Sequence, residues 1–217
     1  IGKIKEVDIN PLIASESGVM ALDARIRVAP YKGLPHARLA IKPYPKELEE
    51  AVPLPDGREL LLRPIQAEDE PQLRAAFDKL TPEEVRLRFF VPMKTLDHLM
   101  AARLSQINYD REMALILTEP GLPGRTEIFG VGRLSADPDN ETAEYAVIVR
   151  GDMSGMGLGR MLLEKVLAYA KARGIGEVYG DVLRDNRRML NLCDSLGFAR
   201  EVDPADPTIV RTSIALQ

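Results

Sequence analysis

The chain has 217 residues, with 29 Lys+Arg against 33 Asp+Glu and a formal net charge of -4. Its 45% hydrophobic and 29% charged residues are those of an ordinary globular protein and exclude a disordered or collagen-like chain, while the acidic balance argues against nucleic acid as a partner. Two histidines (His36, His98) and one cysteine (Cys193) leave no ligand set for a Cys/His zinc site and no internal disulfide, and no apolar run approaches the roughly 18 residues that span a bilayer. The expectation is a metal-free chain with no membrane partner.

In chain order, residues 4–10 and 18–28 alternate apolar and polar, with Ser15-Glu16-Ser17-Gly18 as turn chemistry between them. They read as two strands joined by a turn, a pair too small to be stable alone. Pro30, Pro35, Pro43, Pro45, Pro53 and Pro55 follow, beside Gly33 and Gly57. Residues 30–56 therefore read as a linker with one helical turn at 46–50. It separates a segment 1–29 from a domain 57–217 large enough to bury a full core.

That domain opens on the turn Asp56-Gly57, then a strand at 58–63 stopped by Pro64. Residues 67–80 carry Leu73, Ala76, Phe77 and Leu80 on one helical face. Thr81-Pro82-Glu83-Glu84 spells a helix start, with a capping threonine, proline at the first helical position and a glutamate closing a capping box. A third helix is expected at 95–106, a strand at 113–118, and a hairpin of 127–135 with 142–149. The most helical segment is 159–173, ended by Gly174. A strand at 177–183, a helix at 187–196 and strands at 198–202 and 208–215 complete a mixed α/β or α+β order.

The strongest chemical signal is Ser154-Gly155-Met156-Gly157-Leu158-Gly159-Arg160, which follows a strand and opens the best helix. Glycines at alternate positions let backbone approach a ligand, and free N–H groups at a helix start attract an anion such as a pyrophosphate. The loop lacks the Gly-x-Gly-x-x-Gly spacing of a dinucleotide site and the Gly-Lys-Ser/Thr of a phosphate loop. The alternative is a tight turn made for packing.

These residues, the strand Ala143-Glu144-Tyr145-Ala146-Val147 before them, and Asn186 with Gly197-Phe198 after them resemble the GNAT superfamily of acetyl-CoA-dependent N-acetyltransferases over residues 58–217. The family's loop begins with Gln or Arg where this chain has Ser154. Arg86-Leu87-Arg88-Phe89-Phe90, Tyr109-Asp110-Arg111-Glu112-Met113-Ala114 and Val182-Leu183 with residues 186–190 are similar to the bacterial Pat-type protein lysine acetyltransferases. The segment Glu6-Val7-Asp8-Ile9-Asn10-Pro11-Leu12 with Val19-Met20-Ala21-Leu22-Asp23-Ala24 resembles the last strands of the ATP-grasp part of NDP-forming acyl-CoA synthetases. Asp8 and Asn10 would then occupy metal–nucleotide positions; otherwise they are polar residues of an edge strand. The start at Ile1-Gly2-Lys3 rather than Met reads, by that resemblance, as a cut inside an ATP-grasp domain.

The resemblance implies a mostly antiparallel mixed sheet, splayed at the CoA site and flanked by helices, after a short N-terminal β segment. It implies acetyl-CoA as cosubstrate and, as cytoplasmic acceptor, a lysine of an AMP-forming acyl-CoA synthetase. Backbone groups of Val147, Ile148 and Val149 would hold the thioester and pantetheine, and residues 154–160 (Ser154, Gly155, Met156, Gly157, Leu158, Gly159 and Arg160) the pyrophosphate. A lysine arrives as ammonium and must lose a proton. Neither histidine lies near the loop in sequence, and Glu144 is the better placed carboxylate. Its apolar neighbours would partly desolvate it. It is read as the general base, directly or through water, against the alternative of a surface hairpin carboxylate. Related enzymes place a tyrosine acid where this chain has Cys193, which reads as a core residue and leaves the acid unassigned. Asn186 starts a helix. Arg188, with Arg184 and Arg187, contacts the CoA 3′-phosphate or belongs to a solvated charge run. Arg86, Arg88, Phe89 and Phe90 fall at the acceptor wall. Two rival readings remain, a CoA-sensing module without transfer activity and a small-amine acetyltransferase.

Overall fold

In the computed structural model, residues 4–15, 18–30 and 42–216 are described. The chain divides into two compact units, Ile1–Pro43 and Tyr44–Gln217. His36 lies outside the described residues.

Among its described residues, the first unit holds four short strands where two were expected. β1 (Ile4–Ile9) pairs antiparallel with β4 (Ala24–Val28), and β2 (Leu12–Ser15) with β3 (Gly18–Ala21). The breaks fall at Asn10-Pro11 and Leu22-Asp23, where Asn10 N–H still donates to Asp23 O and Leu22 N–H to Pro11 O. Pro11 has no N–H to continue the ladder, so the run 18–28 opposite it is divided in two.

The second unit is built on one eight-stranded sheet in the order β11-β12-β10-β9-β8-β7-β6-β5. Its strands are β5 (Glu50–Pro53), β6 (Glu59–Pro64), β7 (Glu112–Thr118), β8 (Ile128–Ala136), β9 (Thr142–Val149), β10 (Glu177–Leu183), β11 (Ala199–Val202) and β12 (Ile209–Ala215). Every neighbouring pair is antiparallel except β9–β10. Helices α1 (Glu70–Asp78), α2 (Pro82–Phe89) and α3 (His98–Ser105) belong to one face, α4 (Leu158–Ala172) and α5 (Arg187–Ser195) to the other. The result is the α+β arrangement expected from the sequence.

The end of the expected linker is part of this sheet. Glu50–Pro53 pairs with β6, after a 3-10 turn at Lys46–Leu48, and Val52 is buried. Proline is tolerated because β5 is an edge strand, which needs ladder hydrogen bonds on one side only. β7 is apolar along its length because both its faces are covered. Met113, Leu115 and Leu117 join the core beneath α4, while Ala114 and Ile116 join the core beneath α1–α3. α2 starts as its sequence dictates, Thr81 Oγ1 accepting from Glu84 N–H while Glu84 accepts from Thr81 N–H.

One buried ion pair ties β6, α1 and the β7–β8 loop together. Arg63 Nη1 and Nη2 each lie 2.7 Å from a carboxylate oxygen of Asp69, and both residues are 1% exposed. Asp69 also accepts from Gln66 N–H at 2.8 Å and Gly124 N–H at 2.9 Å. Burial pushes the Asp69 carboxyl up, but the guanidinium and the two N–H donors outweigh it and leave its pKa below the ordinary value. Among the described residues, no helix is long and apolar enough to cross a membrane.

Removing one partner would leave a buried charge uncompensated. Asp69→Ala is expected to cost about 3–5 kcal/mol, measured by urea unfolding at pH 7; a loss below about 1 kcal/mol would mean that the pair is not the tie described. Because the folded-state pKa is depressed, the pair's contribution is complete above the unfolded value of about 3.9 and is lost as pH falls through the folded value.

Candidate functional site

β9 and β10 pair only at Thr142↔Glu177, Ala143↔Val178 and Glu144↔Tyr179. Beyond Glu144, β9 stays paired with β8 as far as Val149, and β10 with β12 as far as Leu183, while the two part from each other. A cavity of about 330 Å³ lies at this opening. With β10 gone, alternate residues of the last part of β9 turn unpaired N–H and C=O groups toward the gap. Val147, Ile148 and Val149 line it, opposite Asn186, Arg188, Met189 and Leu192.

The glycine segment closes one end. A 3-10 turn at Gly151–Met153 leads to Ser154, whose N–H donates to Gly151 O at 3.1 Å. Gly155 and Gly157 have φ of 82° and 77°, a left-handed backbone in which a side chain is strained. Gly157 caps α4 without a side-chain hydrogen bond, so the first N–H groups of the helix keep no capping oxygen from a side chain there. A Cβ placed on Gly155, Gly157 or Gly159 would meet nothing within 4 Å, so the space before the loop is open. Free donors at the positive end of a helix and an open approach fit a pyrophosphate. Arg188 Nη1 donates to Ser154 Oγ at 3.1 Å, tying α5 to the loop, and Asn186 Oδ1 caps α5 by accepting from Met189 N–H. Arg160 donates to Ser195 Oγ at 2.5 Å.

Of the residues expected to hold the donor, all but Met156 line this cavity. Met156 packs against the core instead, since in the alternating loop its side chain points inward while the glycines face the opening. The arginine cluster divides. Arg188 lines this cavity, whereas Arg184 and Arg187 line a separate surface hollow with Arg200. Consecutive helical residues diverge by about 100°, so Arg187 and Arg188 are directed to different sides.

Glu144 sits at the last paired position before the strands part, and its side chain is exposed. Partial desolvation was expected from Ala143, Tyr145, Ala146 and Val147, but Ala143, Tyr145 and Val147 belong to the core on the α4 side, and alternation turns Glu144 to the other face. The charge facing it there is Arg88 of α2. Burial pushes the Arg88 guanidinium down and Glu144 opposes that shift. Arg133 on the same face is pushed down to about 10, first by burial and then by the charge of Arg88.

Five lining residues were not read as site residues from the sequence: Glu84, Leu87, Met153, Met189 and Leu192. Of these, Glu84 and Leu87 belong to α2, and Glu84 was legible only as a cap. Its usable signal was position, since Leu87 and Arg88 follow it by three and four residues on one helical face. Arg86 pairs with Glu83 and with Asp185, linking α2 to the loop before α5. Phe89 packs against Phe77, with ring centroids 5.7 Å apart, and Phe90 is exposed. Cys193 is fully buried, 3.1 Å from Tyr145 Oη. Burial pushes its thiol up, against the hydrogen bonds of Tyr145 and Thr212, so it is no proton donor at the cavity.

Comparison with known proteins agrees with this geometry. Residues 80–198 match the model of the Acetyltransferase (GNAT) family, and residues 1–28 match an ATP-grasp domain. An acetyltransferase of Pseudomonas aeruginosa is 31% identical over 163 residues, covering 75% of this chain and 87% of the relative. The GNAT domain of S. lividans PAT superposes with a TM-score of 0.71 at 26% identity, over 80% of this chain and all of that one. A spermidine N-acetyltransferase from Vibrio cholerae, solved with CoA and spermine, shares the fold at 18% identity and a TM-score of 0.56, over 72% of this chain and 95% of that one. The chain belongs to the GNAT family of acetyltransferases, which act on acetyl-CoA.

Gly159 offers a clean test of the cradle, because its φ is not left-handed and a Cβ there meets no protein atom. Gly159→Ala is expected to keep or raise the melting temperature, since alanine favours a helix over glycine by about 1 kcal/mol. Acetyl-CoA affinity measured by calorimetry should fall by at least about tenfold, or ~1.4 kcal/mol. Unchanged affinity would remove the loop from the donor site.

Proposed function

We propose that this chain transfers acetyl from acetyl-CoA to the side-chain amine of a lysine on a protein, as the Pat-type enzymes do, with Glu144 as the general base. The observation that carries the reading is the position of Glu144. It is exposed at the point where β9 leaves β10, on the open face beside Arg88. A carboxylate held on an open face is reachable by a long side chain projecting from a folded partner. A small free amine gains nothing there from enclosure. The similarity to the S. lividans PAT domain supports the same choice.

The donor lies along the cavity with its pyrophosphate on the N–H groups of residues 155–160 and its thioester at Val147, Ile148 and Val149. Backbone N–H groups of that stretch donate to the thioester oxygen as it gains charge. The lysine ammonium gives a proton to Glu144, directly or through a bridging water, which the exposed site admits. The neutral amine attacks the carbonyl carbon, the N–C bond forms and the C–S bond breaks. CoA leaves as thiolate and is protonated by solvent; the second amine proton goes to solvent as the amide forms. No side chain is assigned as the acid, because Cys193 is sealed in the core.

The acceptor proposed is a cytoplasmic AMP-forming acyl-CoA synthetase, and the match of residues 1–28 supports an association with acyl-CoA metabolism through an ATP-grasp segment. Glu144→Gln keeps size and removes the base. It is expected to lower kcat by about 10²–10⁴-fold while acetyl-CoA affinity stays unchanged. Transfer is read by mass spectrometry of acetylated lysines in a protein extract, in parallel with free polyamines and amino acids. Undiminished turnover would remove Glu144 as base, exclusive use of free amines would remove the protein acceptor, and binding without transfer to anything would indicate a CoA-sensing module.

A further inference from the structure

One cation beside the site has no anion bound to it. Arg88 of α2 is half-buried, and among the described residues its guanidinium makes no hydrogen bond and no ion pair. It lies over the Phe89 ring, 4.9 Å from the centroid, and Glu144 of β9 is the carboxylate whose charge it feels. The other charges around it are committed elsewhere. Glu84, one turn earlier on α2, accepts from the N–H and hydroxyl of Thr81 at 2.7 and 2.8 Å. Arg86 is paired with Glu83 and Asp185. Arg133 of β8 donates to Leu104 O of α3 and lies 3.7 Å from Glu112 of β7. Arg133 is a second cation on the Glu144 face, since it pairs with Ala146 while Glu144 pairs with Ser135. Arg88 also lines the donor cavity, which Glu144 does not. An amine moving from Glu144 to a thioester in that cavity therefore passes the Arg88 guanidinium.

A half-buried cation without protein acceptors costs stability, so its place calls for a reason. We propose that Arg88 assists proton removal from the acceptor: its charge makes an ammonium held between Glu144 and the donor cavity a stronger acid. The proposal rests on reading this site as one of acetyl transfer with Glu144 as base. Like charges in proximity disfavour the more positive state, and a neighbouring cation is one means of freeing an amine nucleophile near neutral pH. The guanidinium itself stays charged, because even when lowered by burial it titrates far above neutral pH. In the step, the N–H bond of the ammonium breaks, its electron pair stays on nitrogen, and the proton goes to Glu144 or to solvent. The repulsion between ammonium and guanidinium is then gone. Arg88 thereby favours the neutral amine, the species that attacks the thioester, and the N–C and C–S steps follow as before.

The test is the acid limb of the kcat–pH profile, measured at saturating acetyl-CoA with a purified AMP-forming acyl-CoA synthetase and, in parallel, with spermidine as acceptor. Arg88→Gln removes the charge and should move the limb up by about one pH unit, so that kcat falls about tenfold on the limb and less than about twofold above it. Arg88→Lys keeps the charge and should leave the limb near its wild-type position. The wild type gives a second reading that needs no variant: raising ionic strength from about 0.05 to about 0.5 M screens the guanidinium and should move the limb up. A loss in folded Arg88→Gln that is equal at every pH or, where that variant does not fold, a wild-type limb insensitive to salt would overturn the role of Arg88. Glu144→Gln in the same assay separates the two readings. Slow turnover of Glu144→Gln with an unmoved Arg88→Gln limb removes Arg88 alone, whereas a moved limb with undiminished Glu144→Gln turnover removes Glu144 and keeps Arg88. Transfer to neither acceptor would overturn both together.

Discussion

The site depends on where β9 releases β10, and one tyrosine marks that place. Tyr145 follows the last paired residue, Glu144, and its ring lies over Gly180 of β10, where a Cβ would come within 2.6 Å of it. Its hydroxyl then reaches Thr212 Oγ1 on β12 at 2.7 Å and Cys193 Sγ on α5 at 3.1 Å. Thr212 in turn donates to Gly180 O at 3.0 Å. A side chain of β9 is thus fastened across β10 to the next strand and to the helix above. All these groups are buried, so each polar atom needs the others, and the vertex is held by a satisfied network rather than by strand pairing.

From this fixed vertex the two faces acquire different tasks. Residues 143, 145, 147 and 149 of β9 bind the strand to the core beneath α4, which carries the glycine loop at its N-terminus. Residues 144 and 148 turn the other way, toward α2. The strand's twofold alternation therefore places a carboxylate and an apolar wall on one face, and the anchoring residues on the other. The backbone between them is exposed at the gap because β10 has parted. Arg86, paired with Glu83 and Asp185, connects α2 to the far side of the opening.

Much of this was legible in the sequence where a rule acts locally. The capping box at Thr81 and Glu84, the glycine loop, the apolar face of α4 and the doubly buried run of β7 each follow from neighbours within a few residues. β5 was obscured by prolines that an edge strand tolerates, although the Asp56-Gly57 turn joins it to β6 with Pro53 opposite Glu59. The division between Arg187 and Arg188 was in principle readable from helical geometry, although which side faces the donor cavity was not. The exposure of Glu144 could not be inferred from its apolar neighbours, because alternation sends them to the opposite face.

That exposure and the burial of Cys193 have a common consequence for proton transfer. An enclosed site must supply both base and acid from its own side chains, because water cannot reach the leaving group. Here the side chain at the position where an acid was sought serves the vertex, and its thiol is pushed up by burial. Glu144, next to Tyr145 in the chain but on the opposite face of β9, stands in solvent. A thiolate leaving group is stable enough near neutral pH to take its proton from water after departure, since an ordinary thiol titrates at about 8.5. The amine is the group that needs help, because a lysine near pKa 10.4 is almost wholly charged at pH 7. On the proposed assignment, the larger of the two demands falls to the Glu144 carboxylate and the smaller one to solvent, which an open acceptor face admits.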